Sequence, residues 1–471
     1  MTFIRYTPEQ HDVLDHIVEH DGILLVSAGA GTGKSFLGRQ VAEALQPRTA
    51  LYTAFNKGIV TEGITRFQGL NVMCKTWHAL AYSYVKPTQD IQDISYTCIK
   101  ENISYRQKFL IIEAINNFFV SASTDMFEFM EEAFPEDSSG PGKFSSAELA
   151  IKYIEMMIAG ELNPTFNFLL KYFHLMLVEG TVKCSYDLVI LDEINDTTAV
   201  TLEIFKLIDA PKKLGLGEPH QAIYDFLKLA NGFEVLSDAP VKRLTQSFRC
   251  STQIAKRIEG FMKKEAEPDF DFKGTDEPVK NGKFLYCTLT NAEIIRAIND
   301  RLVARKGFNL LRKVSEIFAY PMAITTASQG KQVYQKVYKF LEDEYKEYVQ
   351  DHPKGQSFMA YLLEHVDDQN TKSAVALLLS LKRQNINLFK LYADAKEAPV
   401  DLNYTIATVF TSKGLEYETV WIADDLNSRI KSIRDNGGVQ THDDLVAYRC
   451  YYVAASRCGK DLRNAGALSK Y

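Results

Sequence analysis

Short apolar runs alternate along the chain with longer stretches in which apolar residues recur every three or four positions. Apolar runs at residues 23–27, 49–54 and 71–75 predict strands, and helical spacing separates them. Strands that alternate with helices are typical of a parallel sheet covered by helices. Because the strand pattern resumes at residues 186–191 and 213–217, a first α/β domain is predicted at residues 1–85 and 181–250.

Two helical stretches interrupt the strand pattern. The first covers residues 86–180 and contains a loop sequence, PEDSSGPG, at residues 135–142. A second α/β domain is predicted at residues 251–330 and 400–471, with strands at 284–289, 320–325, 406–410 and 419–423. Residues 331–399 interrupt it with further helical spacing. The pattern therefore predicts an α/β fold of two domains, each with a mainly helical insertion.

Composition limits the partners and the compartment. The chain of 471 residues is too long for a single core, and its net charge of −6 provides no overall basic field for a nucleic acid. Binding to a polyanion would need a local basic surface. Seven cysteines without CxxC spacing favour reduced thiols, and neither a signal peptide nor a membrane span is apparent. A soluble cytoplasmic protein is expected.

The most specific local pattern is a glycine-rich loop between an apolar strand and an amphipathic helix. Its backbone N–H groups and the helix N-terminus can surround phosphates, a lysine can bind the β- and γ-phosphates, and a serine hydroxyl can ligate Mg²⁺. Only the first position departs from the strict pattern, with Ala28 in place of glycine. The loop comprises Ala28, Gly29, Ala30, Gly31, Thr32, Gly33, Lys34 and Ser35.

Two acidic residues follow the apolar strand at residues 186–191. Asp192 is placed to hold Mg²⁺ together with Ser35, and Glu193 to orient or deprotonate an attacking water. An acidic pair after an apolar strand is a weak signal alone. Combined with the phosphate loop, it predicts a Mg²⁺-dependent nucleoside triphosphatase.

The phosphate loop and the acidic pair belong to a longer ordered series of segments. From Gln10 to residue 457 the chain carries, in order, the phosphate loop, AFNK (54–57), TWH (76–78), DEIND (192–196), GEPHQAIY (217–224), LTQSFR (244–249), TVFTSKGLEY (408–417) and YVAASR (452–457). The series resembles that of superfamily 1A helicases of the UvrD/Rep/PcrA type. The segments CKT (74–76), GEPHQ (217–221) and LTQSFR look most like the helicase core of the F-box DNA helicase family. No F-box is expected ahead of Gln10.

The resemblance implies two RecA-like P-loop domains and a role for each motif residue toward ATP. Gln10 would read the adenine edge and Phe248 would stack on the base. Arg249 and Arg457 would reach the γ-phosphate, and Gln221 would sense it. Gly414 and Glu416 would meet the nucleotide, the glutamate at the ribose. ATP and Mg²⁺ are thus the expected cofactors.

The resemblance also implies a path for single-stranded DNA. The residues at the family's DNA-contacting positions are Phe55, Asn56, Lys57, Thr76, Trp77, His78, Tyr224 and Phe410. Phe410 stands where the family often has histidine. For Phe55 and Trp77 the alternative is an ordinary core aromatic, because large rings are usually buried. The expected partners are single-stranded and partial duplex DNA, bound by a monomer.

The motif series predicts an ATP-dependent 3′→5′ DNA helicase or single-stranded DNA translocase. Two alternatives remain open: a translocase that remodels protein–DNA complexes with little unwinding, and a DNA-binding scaffold with a vestigial ATPase. The motifs do not exclude RNA, and they do not distinguish repair, recombination and replication. The insertion at 331–399 is shorter than the accessory domain of the bacterial relatives, which predicts modest unwinding of long duplexes.

Overall fold

The alternation of strands and helices builds two units. The computed structural model describes residues 6–54, 57–135, 145–224, 229–351, 355–366 and 368–471. The first unit is Met1–Gly29 with Gly33–Leu244, and the second is Ala30–Thr32 with Thr245–Tyr471. The predicted loop at 135–142 lies, apart from Pro135, outside the described residues.

The first unit contains a six-stranded sheet of order β3-β2-β4-β5-β1-β6, in which all neighbours are parallel. Strands β2 and β4 are buried along their whole length, as central strands covered on both faces must be. The strands are β1 (Gly22–Ala28), β2 (Ala50–Ala54), β3 (Val72–Thr76), β4 (Leu188–Asp192), β5 (Lys212–Gly217) and β6 (Val241–Leu244).

Ten helices accompany this sheet in the described part of the first unit. They are α1 (Pro8–Glu19), α2 (Lys34–Leu45), α3 (Lys57–Arg66), α4 (Trp77–Val85), α5 (Tyr105–Val120), α6 (Met126–Ala133), α7 (Ser146–Ile158), α8 (Phe166–Val178), α9 (Ala199–Leu207) and α10 (Gly232–Val235). Helices α5 to α8 lie between β3 and β4. They form the predicted helical insertion, with a core of its own that includes Ile115, Phe119, Tyr153 and Leu169.

The second unit contains a five-stranded parallel sheet of order β10-β11-β9-β12-β13 and a separate parallel pair, β7 and β8. The short strands β7, β8 and β10 and the strand β13 were not predicted from the apolar pattern. The strands are β7 (Gln246–Ser251), β8 (Lys273–Thr275), β9 (Phe284–Thr288), β10 (Asn309–Leu310), β11 (Tyr404–Thr408), β12 (Tyr417–Ile422) and β13 (Cys458–Arg463).

The helices of the second unit are α11 (Thr252–Glu265), α12 (Asn291–Val303), α13 (Val314–Ala327), α14 (Phe340–Asp351), α15 (Phe358–His365), α16 (Gln369–Arg383), α17 (Leu388–Glu397), α18 (Val409–Ser412), α19 (Asp424–Asp435) and α20 (His442–Ser456). Helices α13 to α17 lie between β10 and β11 and share a core with α12, for example through Ile298, Phe318 and Leu362. No helix of the described ranges combines the length and the hydropathy that crossing a bilayer requires.

The predicted fold class is confirmed: the chain consists of two RecA-like α/β units, each with a mainly helical insertion. The exact domain boundaries stay a prediction. One predicted strand is wrong, because residues 320–325 lie inside α13. The buried residues Ile317, Phe318, Pro321 and Ile324 recur at intervals of three and four, which is the helical period.

A second predicted strand, at residues 406–410, extends too far. Strand β11 ends at Thr408, whose hydroxyl accepts a hydrogen bond from the Thr411 N–H at 3.3 Å and so caps the short helix α18. Phe410 therefore lies on a helix rather than on a strand.

Candidate active site

The glycine-rich loop contains two residues in the left-handed region. Gly31 has φ of +72° and Gly33 has φ of +84°, a conformation that L side chains rarely adopt. Gly33 immediately precedes α2, which begins at Lys34 and has no side-chain cap. Ala28 ends β1, and Ser35 lies in the first turn of α2. A helix N-terminus without a cap offers its N–H groups to an anion.

Lys34 lies among acidic side chains of the first unit. Its Nζ donates to Glu193 Oε1 at 2.8 Å, and the carboxylates of Asp192 and Glu218 also act on it. Burial favours the neutral amine, but these three carboxylates outweigh it and raise the pKa of Lys34. The lysine is therefore a fixed positive charge next to the loop.

Asp192 is the last residue of β4 and is only 3 % exposed. Its Oδ1 accepts the Glu193 N–H at 3.0 Å, and its Oδ2 accepts the hydroxyl of Tyr52 at 2.6 Å. Burial and the neighbouring Glu193 raise the pKa of Asp192, against the opposing charge of Lys34. Glu193 itself has φ of +56°, a strained conformation for a residue with a side chain.

The side chains of Ser35 and Asp192 carry oxygen donors that fit a magnesium ion. The Ser35 hydroxyl and the Asp192 carboxylate are hard oxygen ligands, which Mg²⁺ prefers. Three carboxylates, those of Asp192, Glu193 and Glu218, act on Lys34, and Arg66 also acts on Asp192. Carboxylates grouped in this way suit a hard cation.

Two glutamines predicted at the nucleotide are buried in the first unit. Gln221 donates through Nε2 to Glu218 Oε2. Gln10 forms a capping box at the start of α1, where its Oε1 accepts the Thr7 N–H at 3.0 Å. A Cβ added at Gly33 would lie 3.6 Å from Gln10 Nε2, so the amide nitrogen lies beside the glycine-rich loop.

In the second unit, Arg249 lies against the loop residue Gly31. A Cβ at Gly31 would lie 2.5 Å from Arg249 Cβ, so only glycine fits there. The Nε and Nη2 atoms of Arg249 each lie 2.9 Å from Glu416 Oε1, and its Nη1 donates to the Ser456 carbonyl. The preceding Phe248 is 47 % exposed, which leaves its ring available for stacking.

Arg457 follows α20 and is 1 % exposed. Its Nε donates to the Val453 carbonyl at 3.1 Å. On the same helix, the Tyr452 hydroxyl accepts the N–H of the loop residue Ala30 at 3.0 Å. Thr32 is buried in this unit. Gly414 has φ of +87° and lies two residues before the exposed Glu416. The second unit thus contains both predicted arginines, and Arg249 lies against Gly31 of the phosphate loop.

The predicted DNA-contacting residues have different surroundings. Lys57 begins α3 and is exposed, while Tyr224 and Phe410 are partly exposed. Thr76 caps α4 by accepting the Ala79 N–H at 3.1 Å, and His78 lies 3.2 Å from Asn167 Oδ1. Phe55 and Asn56 lie outside the described residues.

Trp77 lies in the core of the first unit. Its side chain is 4 % exposed and belongs to a core cluster with Leu80, Phe173 and Val189. Stacking on a base requires an exposed ring face. The burial of Trp77 favours the alternative of a core aromatic, and stacking on DNA stays a prediction.

Sequence reasoning missed residues that contact the candidate site. Tyr52 was treated only as part of an apolar strand, although its hydroxyl binds Asp192. Glu218 appeared only as part of the GEPHQ segment, although its charge acts on Lys34. The hydroxyl of Tyr52 inside the buried strand β2 was the available signal, because a buried hydroxyl needs a partner.

Comparison with known proteins finds relatives that align with nearly the whole chain. No protein-family model matches it. A chicken protein named F-box DNA helicase 1 is 24 % identical over 514 aligned residues, which cover 99 % of this chain and 49 % of that protein. F-box DNA helicase protein 1 of Schizosaccharomyces pombe is 23 % identical over 506 residues, covering 97 % and 57 %. The chain spans about half the length of the curated relatives that it matches.

The similarity thus reaches across both RecA-like units and both helical insertions rather than one nucleotide-binding motif. This chain is related over nearly its whole length to the F-box DNA helicases.

Proposed function

We propose that this protein is an ATP-dependent DNA helicase. The observation that carries the proposal is the grouping of Lys34, Asp192 and Glu193 beside the glycine-rich loop. The names of the two relatives support DNA as the substrate. The compartment that we propose is reducing and cytoplasmic, since none of the seven cysteines, all in the described part, forms a disulfide.

Within this proposal, the Lys34–Glu193 ion pair is exchanged when the nucleotide binds. Lys34 transfers its hydrogen bonds from Glu193 to the β- and γ-phosphates, and Glu193 becomes available to accept a proton from the attacking water. Ser35 and Asp192 would hold Mg²⁺, which when bound neutralises charge that develops on the transferred phosphoryl group. Gln10 donates to the adenine through its amide nitrogen, while Gln221 responds to the γ-phosphate.

The resemblance assigns further proposed roles to residues of the second unit. Phe248 stacks on the adenine and Glu416 accepts from the ribose. Arg249 and Arg457 stabilise the transition state of phosphoryl transfer, since a planar guanidinium suits charge spread over several oxygens. Single-stranded DNA contacts Lys57, Thr76, His78, Tyr224 and Phe410, together with the motif residues Phe55 and Asn56.

We further propose that the protein belongs to superfamily 1A and translocates 3′→5′ as a monomer. The segments SKGLE (412–416) and YVAASR (452–457) support this polarity by their resemblance to the 3′→5′ branch. A second candidate is a translocase that strips proteins from DNA, which the short helical insertion of the second unit favours. A scaffold with a vestigial ATPase is disfavoured because the chain keeps Lys34, Asp192, Glu193 and both arginines.

The test is ATP turnover with and without single-stranded DNA, in the wild type and in Lys34→Ala. We expect DNA to stimulate turnover in the wild type, and the substitution to lower it by about two to three orders of magnitude. Lys206→Ala is the matched control, because Lys206 lies on α9 and forms a 2.7 Å ion pair with Glu203 on the same helix. Turnover retained in Lys34→Ala would contradict the proposed site. A parallel assay with RNA of the same sequence determines which nucleic acid stimulates.

A further inference from the structure

We propose that Tyr52 is a positioning residue that orients Asp192 toward the magnesium ion. The inference rests on the proposed function, since it concerns the same site. Tyr52 belongs to β2 and has no predicted role in binding nucleotide or DNA. Its hydroxyl donates to Asp192 Oδ2 at 2.6 Å, and both side chains are buried.

The strand register explains why the hydroxyl reaches this carboxylate. Tyr52 is paired with Ile190 on the neighbouring parallel strand β4. Asp192 lies two residues beyond Ile190, and alternate residues of a strand point to the same face. The tyrosine side chain therefore extends along the face on which Asp192 lies, toward the end of the sheet that carries the candidate site.

Packing around the ring fixes the position of the hydroxyl. A Cβ added at Gly63 on α3 would lie 2.7 Å from Tyr52 Cε1, so a larger residue at Gly63 would displace the ring. The ring of Phe67 packs against Tyr52 at 5.0 Å between centroids. The tyrosine is completely buried, and its hydroxyl has little freedom to follow a moving carboxylate.

Asp192 is held through both of its oxygens. Tyr52 binds Oδ2, and the Glu193 N–H binds Oδ1 at 3.0 Å. A carboxylate oxygen carries two lone pairs, so each oxygen keeps acceptor capacity for a metal after one hydrogen bond. Partners of this kind orient metal ligands, and their loss typically costs about 10–100-fold in metal affinity or activity.

The central variant is Tyr52→Phe, which removes only the hydroxyl and retains the packed ring. Tyr153→Phe is the matched control, because Tyr153 is also buried and also donates to a carboxylate, Glu101 Oε2, at 2.6 Å. Tyr153 lies in the helical insertion of the same unit, away from the phosphate loop. A purely structural tyrosine–carboxylate bond would therefore give the same result in both variants.

Two readouts are measured on the full chain, well below the melting temperature of each variant. The first is the Mg²⁺ concentration that half-saturates ATP turnover. The second is binding of Mn²⁺ in the presence of ADP, followed by the electron paramagnetic resonance signal of free Mn²⁺, which needs no turnover. We expect Tyr52→Phe to raise the half-saturating Mg²⁺ concentration and to weaken Mn²⁺ binding, each by about 10-fold or more. Turnover at saturating Mg²⁺ should stay within a few-fold of wild type. Tyr153→Phe should match the wild type.

Unchanged metal dependence in Tyr52→Phe would overturn the inference, and so would an equal shift in Tyr153→Phe. A loss of turnover in Tyr52→Phe that saturating Mg²⁺ does not restore would also overturn it. Failure of the proposed function has a different signature, because the wild type itself would then show no Mg²⁺-dependent ATP turnover.

Discussion

Arg249 and Glu416 form an ion pair in which two guanidinium nitrogens, Nε and Nη2, each lie 2.9 Å from the same carboxylate oxygen. Glu416 is the residue proposed to meet the ribose, and Arg249 is proposed to meet the γ-phosphate. The two side chains proposed to contact the nucleotide therefore contact each other. The pair couples two nucleotide contacts that the sequence alone treats as independent.

We expect this coupling to appear in ATP kinetics. Glu416→Ala should raise KM for ATP and also lower kcat, because Arg249 loses the carboxylate that orients it. In a double-mutant cycle with Arg249→Ala, the coupling energy in kcat/KM should exceed about 0.5 kcal/mol. Glu265→Gln is the control, since Glu265 forms a comparable pair with Arg434 in the same unit, with nitrogen–oxygen distances of 2.7 Å. Strictly additive effects would show that the pair has no role at the nucleotide.

Arg457 is expected to act mainly in the transition state. Arg457→Lys and Arg457→Ala should lower kcat by about 10³-fold or more, with a much smaller change in ATP affinity, because the arginine is proposed to stabilise the transition state of phosphoryl transfer more than bound ATP. Steady-state kinetics and nucleotide binding separate the two effects.

Because Arg457 is buried, its loss also affects stability. Arg449→Ala controls for this effect, since Arg449 lies on α20, is buried and binds Glu267 at 2.9 Å. A similar loss of kcat in Arg449→Ala, or lost ATP affinity with retained kcat in Arg457→Ala, would contradict the assignment.

Trp77 is expected to contribute to stability rather than to DNA stacking. Trp77→Ala should lower the free energy of unfolding by about 3–5 kcal/mol, because it leaves a large cavity in the core of the first unit. Trp77→Phe should retain single-stranded DNA affinity within about twofold. Denaturant unfolding and fluorescence anisotropy measure the two quantities. Strongly weakened DNA binding in a stable Trp77→Phe protein would restore the original prediction.

His174 is expected to make the protein sensitive to acid. Burial, assisted by the charge of Lys171, lowers the pKa of His174 to about 4 from its ordinary value near 6.5. At pH values between 4 and 6.5, His174 binds a proton in the unfolded chain and stays neutral in the folded chain. The contribution of His174 to stability is therefore present above pH 6.5 and is lost as the pH falls toward 4, with a slope of at most about 1.4 kcal/mol per pH unit.

Replacing His174 with leucine should remove this part of the pH dependence. Unfolding free energies between pH 7 and 4.5 should then fall less steeply than in the wild type. The exposed His442 provides the control substitution, His442→Leu. Parallel curves for the wild type and His174→Leu would contradict the prediction.

The fold could be predicted from sequence where the pattern reflects burial on both sides of a sheet. Strands β1, β2 and β4 were found because most of their residues are apolar and buried. Residues 320–325 were misassigned because a short apolar run fits either a buried strand or a buried helix, and only the spacing over the longer range 314–327 separates the two. Edge strands such as β10, with two residues, carry too little pattern to detect.

The candidate site could be predicted where motif residues are contiguous, as in the phosphate loop and the acidic pair. What could not be predicted was which side chains bind each other. Tyr52 and Asp192 are 140 residues apart, and their contact depends on the register of β2 against β4. The burial of Trp77 similarly depends on α8, which lies about 90 residues further along the chain.

Strand separation on partial duplexes tests the central claim most directly. The substrates carry about fifteen base pairs, each step held by roughly 1.4 kcal/mol of stacking, and a single-stranded tail at either the 3′ or the 5′ end. We predict ATP-dependent separation of the 3′-tailed duplex, little separation of the 5′-tailed duplex, and none in Lys34→Ala. DNA-stimulated ATP turnover without separation of either substrate would favour the protein-stripping translocase. Separation that requires the 5′ tail would contradict the proposed polarity, and the absence of DNA-stimulated turnover would contradict the account as a whole.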